Sequence, residues 1–190
     1  MQKYAMIYDA QKCIGCQSCT IACKSENEVP DGFYRLQVKI KGPFGESAKL
    51  HFKFERHSCE MCENTPCVSV CPTNASFMDE NGIVDIDKDK CVGCLYCVAA
   101  CPYKARYVNP LTKTPDKCNF CKHTHLKVAG VPACVSVCPT DALVFGDLNM
   151  PSDEILQILS QKPHFTRKAH LGTKPKLFIL PENKGGISYE

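Results

Sequence analysis

The stretch that decides the fold is residues 91–102, CVGCLYCVAACP, in which four cysteines are separated by two, two and three residues and followed by a proline. Groups of this kind occur four times in the 190-residue chain, and together they use all sixteen of its cysteines. The four quartets are Cys13, Cys16, Cys19 and Cys23; Cys59, Cys62, Cys67 and Cys71; Cys91, Cys94, Cys97 and Cys101; and Cys118, Cys121, Cys134 and Cys138. Cysteines clustered this closely indicate metal binding.

The spacing of residues 91–102 is typical of chains that hold [4Fe–4S] clusters. Three cysteines two residues apart wrap three corners of a cube, and in two-cluster ferredoxins the fourth ligates the neighbouring cluster. Gly15 and Gly93 lie inside such loops, where a residue without Cβ lets the backbone take a positive φ. The other quartets depart slightly: Lys24 replaces the proline of the first, and the second and fourth have longer internal gaps. Sixteen thiolates predict four [4Fe–4S] clusters, with iron bound through the same sixteen cysteines.

Two other uses of cysteine are disfavoured. Disulfides in a secreted scaffold would be spread along the chain as cross-links, whereas these cysteines cluster at two- and three-residue spacing. Structural zinc sites usually combine two separated C-x2-C pairs, whereas the first and third quartets each place four cysteines in one short run.

The formal net charge of +3 does not indicate a nucleic-acid partner. A cluster held by four thiolates carries about −2, so four clusters would change the total to about −5. No nucleotide-binding or nucleophile–base motif is present, so no catalytic residue is predicted. His57, His123 and His125 lie near predicted ligands, and we interpret them as hydrogen-bonding or exposed residues because no cysteine ligand is missing.

No apolar run approaches the roughly 20 residues that a bilayer-spanning helix needs. Residues 1–12 also lack the apolar core of a signal peptide, so the chain is expected to be soluble and not exported by itself.

The predicted fold class is α+β, built from two ferredoxin-like modules that hold two clusters each. CVSVCPT occurs twice, at residues 67–73 and 134–140, and short strand-like segments follow the last three quartets. Asn81-Gly82 predicts a hairpin turn. The gaps between successive quartets are similar, so spacing alone leaves open whether the third quartet pairs with the second or with the fourth.

Two segments lie outside the cluster-binding pattern. Alternating apolar residues within residues 33–57 predict a β-hairpin whose apolar face packs on the chain itself or, alternatively, docks a partner. Residues 151–190 are predicted to form a helix, with Ser152 as its cap, followed by an extended docking tail that contains the strand-like KLFIL, residues 176–180.

The whole chain, from residues 4–30 through 134–148 to 172–180, resembles the four-cluster electron-transfer subunits of molybdopterin oxidoreductases. It is most similar to the polysulfide and thiosulfate reductase iron–sulfur subunits. The resemblance implies that residues 58–109 form an inner module inserted into an outer module made of residues 1–32 and 110–150.

The resemblance also implies a ligand set for each cluster. The first cluster has Cys13, Cys16, Cys19 and Cys138; the second has Cys23, Cys118, Cys121 and Cys134; the third has Cys59, Cys62, Cys67 and Cys101; the fourth has Cys71, Cys91, Cys94 and Cys97.

The function implied by the resemblance is electron relay, without catalysis by this chain. The expected partners are a molybdopterin catalytic subunit and an integral membrane subunit that oxidises quinol, in anaerobic respiration with polysulfide or thiosulfate as the expected acceptor. The expected location is the periplasmic face of the bacterial inner membrane, reached by export with the partner, and the alternative is the cytoplasm. A free-standing soluble polyferredoxin is the alternative function.

Overall fold

The computed structural model describes residues 1–46 and 49–181, and it confirms the predicted α+β class. The described elements are short and follow one another in the order β1 (Tyr4–Asp9), α1 (Ser18–Glu26), β2 (Leu36–Phe44), β3 (His51–Ser58), α2 (Pro66–Ser69), β4 (Ser76–Met78), β5 (Val84–Ile86), α3 (Tyr96–Ala99), β6 (Tyr107–Val108), β7 (Pro115–Asp116), α4 (His125–Ala129), α5 (Ala133–Ser136), β8 (Leu143–Asp147), α6 (Glu154–Gln161) and β9 (Leu177–Leu180).

The main sheet joins distant parts of the chain in the order β8-β1-β9. Strand β1 runs antiparallel to β8, with Tyr4 opposite Asp147, and parallel to β9, with Met6 opposite Leu177. The other sheets each have two strands, β2–β3, β4–β5 and β6–β7. The segments before the first quartet and after the fourth are thus held together.

Strand β1 is buried on both of its faces. Met6 and Tyr8 point into the larger core, which contains several cysteines, whereas Ala5 and Ile7 pack in a second core with Ile155 of α6. Alternate residues of a strand point to opposite faces, so one central strand connects the cluster-binding core to the C-terminal helix.

Helix α6 begins one residue later than predicted. The cap is Asp153, not Ser152, and its carboxylate accepts hydrogen bonds from the backbone N–H groups of Ile155 (3.0 Å) and Asp147 (2.8 Å). A carboxylate at this position satisfies a free N–H at the helix start and also ties the helix to β8.

The predicted hairpin is present, but its apolar face is divided. Leu36 and Val38 near its base are 1% and 5% exposed, whereas Ile40 and Phe52 nearer the tip are 57% and 51% exposed. The base therefore packs on the chain itself, in agreement with one of the two interpretations, whereas Ile40 and Phe52 remain about half exposed.

The described part of the tail, residues 162–181, contacts its own chain. The backbone N–H of Glu63 donates to the carbonyl oxygen of Lys174 (3.0 Å), and that of Lys176 donates to the carbonyl oxygen of Glu60 (2.9 Å). Strand β9 then joins the main sheet. This part of the predicted docking tail is thus bound internally, and residues 182–190 lie outside the described residues.

Helix α1 has nine residues and helix α6 has eight. Across residues 1–46 and 49–181, no helix has the length and apolar character needed to cross a bilayer.

Candidate iron–sulfur cluster sites

The first loop of each quartet has the same backbone bend. The residue just before the second cysteine has a positive φ in all four loops: 69° at Gly15, 47° at Met61, 69° at Gly93 and 56° at Phe120. Such a bend wraps the chain tightly, so the two flanking cysteines can face one point. Sequence reasoning identified the two glycines and missed Met61 and Phe120, because side chains rarely adopt this conformation.

A second repeated feature concerns the cysteines further along each quartet. The third cysteine of every quartet lies in a short helix, in α1, α2, α3 and α5 respectively. Three residues after the fourth cysteine, φ is again positive at Asn74 (54°), Lys104 (51°) and Asp141 (50°). The same local fold therefore recurs in the last three quartets, and the first quartet differs because α1 continues for a further turn.

Three cavities gather four cysteines each. The first cavity is lined by Cys13, Cys16, Cys19 and Cys138; another is lined by Cys59, Cys62, Cys67 and Cys101; the third is lined by Cys71, Cys91, Cys94 and Cys97. Each cavity thus draws its four cysteines from two different quartets, which brings distant parts of the chain to one site.

The remaining four cysteines, Cys23, Cys118, Cys121 and Cys134, are all buried. Burial raises the pKa of the Cys23 thiol far above its usual value, and the charges of the other three add to that rise. The side-chain amide of Asn27 lies 3.9 Å from the sulfur of Cys23 and 3.5 Å from that of Cys121. Asn27 thus joins two quartets at one site, a role that the sequence did not reveal.

Backbone N–H groups point at two of the fourth cysteines. The N–H of Ser76 lies 3.3 Å from the sulfur of Cys71, and the N–H of Ala142 lies 3.3 Å from that of Cys138. Each of them is the second cysteine of a CVSVCPT repeat. Hydrogen bonds of this kind stabilise a charged sulfur and raise the reduction potential of a cluster bound to it.

The three histidines near the quartets pair with other groups. His57 lies 3.3 Å from Glu55, His123 lies 2.8 Å from Asp85, and the Nδ1 atom of His125 lies 2.7 Å from the carbonyl oxygen of Val131. These contacts agree with the interpretation of the histidines as hydrogen-bonding residues.

Comparison with protein families gives a match to the 4Fe-4S dicluster domain over residues 50–148. The chain belongs to this dicluster family. The cofactor of this chain is the [4Fe–4S] cluster, and the sixteen cysteines of the chain fit four such clusters.

Known relatives match most of this chain. The B subunit of the polysulfide reductase of Wolinella succinogenes is 60% identical over 187 residues, which cover 98% of both proteins. The thiosulfate reductase electron transfer subunit PhsB of Salmonella typhi is 58% identical over 161 residues, 84% of this protein and 83% of PhsB. Protein NrfC of Escherichia coli is 50% identical over 98% of this protein and 84% of NrfC.

The side chains around the thiols fit such a cofactor. Burial raises the pKa values of Cys62 and Cys134 to about 12, so these thiols ionise at neutral pH only beside a strong positive charge, which iron supplies. Arg56 and Arg106 are buried among the cysteines, and each has N–H groups without a hydrogen-bond acceptor among the described residues. Cluster and cysteine sulfurs are acceptors that would satisfy such donors.

Replacing Gly15 by alanine is expected to destabilise the first loop more than the same change at Gly93. Both glycines have φ of 69°, where a Cβ costs about 1–2 kcal/mol. At Gly15 the added Cβ would also overlap the Phe54 ring, whereas at Gly93 its nearest neighbour is a backbone oxygen 3.6 Å away. Thermal unfolding of Gly15→Ala and Gly93→Ala under anaerobic conditions measures the difference. Equal losses of stability would show that the hairpin does not constrain the loop.

Proposed function

We propose that this protein is the electron-transfer subunit of a respiratory reductase complex and passes electrons along four [4Fe–4S] clusters. The observation that carries the proposal is the distribution of exposed cysteines. Cys16 and Cys94 are exposed, and each lies in a different four-cysteine cavity, whereas Cys23, Cys118, Cys121 and Cys134 form a buried group. Two accessible ends joined through a buried interior are what a relay between two partners requires.

The proposed ligand sets are those implied by the family resemblance, with one cluster for each set of four cysteines. The three cavities support the first, third and fourth sets. The second set is supported by the mutual effect of its four thiols on the pKa of Cys23 and by the contacts of Asn27.

We also propose the nested arrangement of two ferredoxin-like modules, with residues 58–109 inserted between residues 1–32 and 110–150. Pairing of β1 with β8 and packing of α1 against α5 support an outer module made from both ends of the chain. Pairing of β4 with β5 and packing of α2 against α3 support the inner module. The hairpin of residues 33–57 and the segment from residue 151 onward are then additions to this pair.

In this proposal the clusters supply one-electron oxidation and reduction, and the chain's own residues set the conditions. The four cysteines of each set hold a cluster, and the buried second set keeps water away from the middle of the relay. The N–H groups of Ser76 and Ala142 stabilise extra negative charge at Cys71 and Cys138.

The two accessible ends suit two different partners. At one end, Ile14 beside Cys13 is 58% exposed, and at the other, Val92 and Tyr96 beside Cys94 are 68% and 61% exposed. We propose, from the family resemblance, that the first end docks a molybdopterin catalytic subunit and the second docks an integral membrane subunit that oxidises quinol. Polysulfide or thiosulfate would then be reduced in the catalytic subunit.

The same resemblance supports a location on the periplasmic face of the bacterial inner membrane, after export together with the catalytic subunit. The described helices do not cross a bilayer, so membrane contact in this proposal depends on the separate anchor subunit.

The assembled complex provides the test of function and orientation. Omitting this chain is expected to abolish turnover driven by quinol and to preserve turnover driven by a dye that reduces the catalytic subunit directly. Charge reversal at Lys104, an exposed residue of the proposed inner module three positions after Cys101, is expected to weaken quinol-driven turnover several-fold and leave the dye-driven rate nearly unchanged.

Lys127→Glu is the matched control, because Lys127 is an exposed lysine in α4. Equal loss in both assays for Lys104→Glu would contradict the orientation. Purification of the chain as a stable carrier without any catalytic partner would instead favour the polyferredoxin alternative.

A further inference from the structure

Two buried arginines lie among the cysteines, and the first is supplied by the hairpin. Arg56 of β3 is 1% exposed and lines the cavity of Cys13, Cys16, Cys19 and Cys138. Its Nη1 atom donates to the hydroxyl of Ser58 at 2.6 Å. Its Nε and Nη2 atoms have no hydrogen-bond partner within the part of the chain that the structure describes.

Arg56 also lies near the second set of cysteines. Cys19, which lines the same cavity as Arg56, comes one helical turn before Cys23 of the second set in α1, and α1 packs against α5, which contains Cys134 of that set. The carboxylate of nearby Glu60 is 3.3 Å from Arg167, which is its ion-pair partner. Arg56 therefore lies against the first set of cysteines and beside the helix that leads to the second set, with two donor atoms that have no partner among the described residues.

Arg106 occupies the corresponding position in the other half of the molecule. It is 6% exposed and lines the cavity of Cys59, Cys62, Cys67 and Cys101. Its Nη2 atom donates at 2.8 Å to the hydroxyl of Ser76, a residue that lines the adjacent cavity of Cys71, Cys91, Cys94 and Cys97. Its Nη1 atom has no partner among the described residues.

A buried guanidinium without a close carboxylate partner is costly unless other groups compensate its charge. Arginine stays protonated at any pH at which proteins are folded, so this charge is permanent. Each electron that enters a cluster adds one negative charge, and a positive charge a few ångströms away in a low-dielectric interior stabilises that charge strongly. A charge placed between two sites stabilises the electron at both of them.

We propose that Arg56 and Arg106 are positioning residues for electron transfer, each placing a permanent positive charge between the two cluster sites of its own half. The inference rests on the proposed function. Arg56 raises the potentials of the outer pair and limits the repulsion between two reduced neighbours, and Arg106 does the same for the inner pair. The clusters would exchange one electron at a time, and the guanidinium, which does not titrate, would take up no proton when they do.

The test is a redox titration of the intact anaerobic complex, monitored by electron paramagnetic resonance, with iron content measured on the same samples. In Arg56→Gln, the reduction equilibrium of the outer pair is expected to fall at least tenfold, which is about 59 mV for one electron, with the inner pair unchanged. In Arg106→Gln, the reduction potentials of the inner pair are expected to fall, and those of the outer pair are expected to stay unchanged. The outer pair is identified by the centres that disappear in Cys138→Ser and Cys134→Ser, and the inner pair by those that disappear in Cys101→Ser and Cys71→Ser.

Lys39→Gln is the matched control, since it removes an exposed positive charge from the same hairpin. It is expected to leave the reduction potentials of all centres unchanged. Arg56→Lys keeps the charge and is expected to restore the potentials. Loss of the outer irons in Arg56→Gln but not in Arg56→Lys would also support the proposal, because charge alone separates them.

Four results would overturn the inference. The first two are an arginine-to-glutamine variant that keeps its irons and its reduction potentials, and a shift in potential of equal size in both pairs. The other two are a shift in Lys39→Gln as large as that in Arg56→Gln, and loss of iron in Arg56→Lys as well as in Arg56→Gln. The proposed function fails in a different way, through a wild-type protein that lacks the four titrating centres.

Discussion

Anaerobically purified protein is expected to contain about sixteen iron and sixteen acid-labile sulfide atoms per chain, from four [4Fe–4S] clusters. The reason is that the sixteen cysteines leave no thiol spare, and that three cavities and one buried group each gather four of them. Val, Ile, Leu and Phe make up only 44 of the 190 residues, so the clusters also complete a small apolar core. Removal of iron by a chelator under oxidising conditions is therefore expected to unfold the protein.

Elemental analysis and far-ultraviolet circular dichroism of the same samples provide the measurement. Iron that saturates near eight atoms per chain, or zinc in its place, would contradict the assignment. Secondary structure that survives complete removal of iron would contradict the coupling between folding and cluster binding.

Changing Cys138 to serine is expected to remove or convert the same spectroscopic centre as changing Cys13, although the two residues are 125 positions apart. The physical reason is that both thiols line one cavity, with Arg56 beside them. Changing Cys101 to serine is expected to affect the centre held by Cys59, Cys62 and Cys67 instead. Each single variant should lose up to four of the irons and keep the spectra of the other three centres.

Electron paramagnetic resonance of the reduced variants makes this comparison, and Cys13→Ser is the matched control for Cys138→Ser. If the Cys138 variant lost the centre of the third quartet and kept that of the first, the nested ligand assignment would be wrong.

Local features of the fold were predictable because they depend on nearby residues. The strand-like segments around the quartets are strands, and Gly15 and Gly93 adopt the positive φ that their position suggested. The hairpin also followed from its alternating pattern. The helix cap was wrong by one residue, since serine and aspartate are both good caps and only the position of β8 makes Asp153 the better one.

Features that depend on distant contacts were not visible in the sequence. Arg56 is in phase with Phe52 and Phe54 on the apolar side of the strand, but a charged residue there does not reveal that its guanidinium is buried beside the first loop, which Phe54 also contacts. Asn27 contacts Cys121 across 94 positions, and no local pattern marks such a pair. The sequence predicts a tail that docks a partner, but the carbonyl oxygen of Lys174 in this tail accepts a hydrogen bond from the N–H of Glu63 in the same chain.

The order in which the cysteines meet has a consequence for how the protein is made. The cavity that includes Cys101 has all its thiols once little more than half of the chain has left the ribosome, whereas the cavity of Cys13 waits for Cys138. Strand β9, which completes the main sheet, emerges later still. During synthesis, Cys13, Cys16 and Cys19 are thus exposed without their fourth partner for more than a hundred residues of elongation. Thiols that lack their partners are open to oxidation throughout this interval.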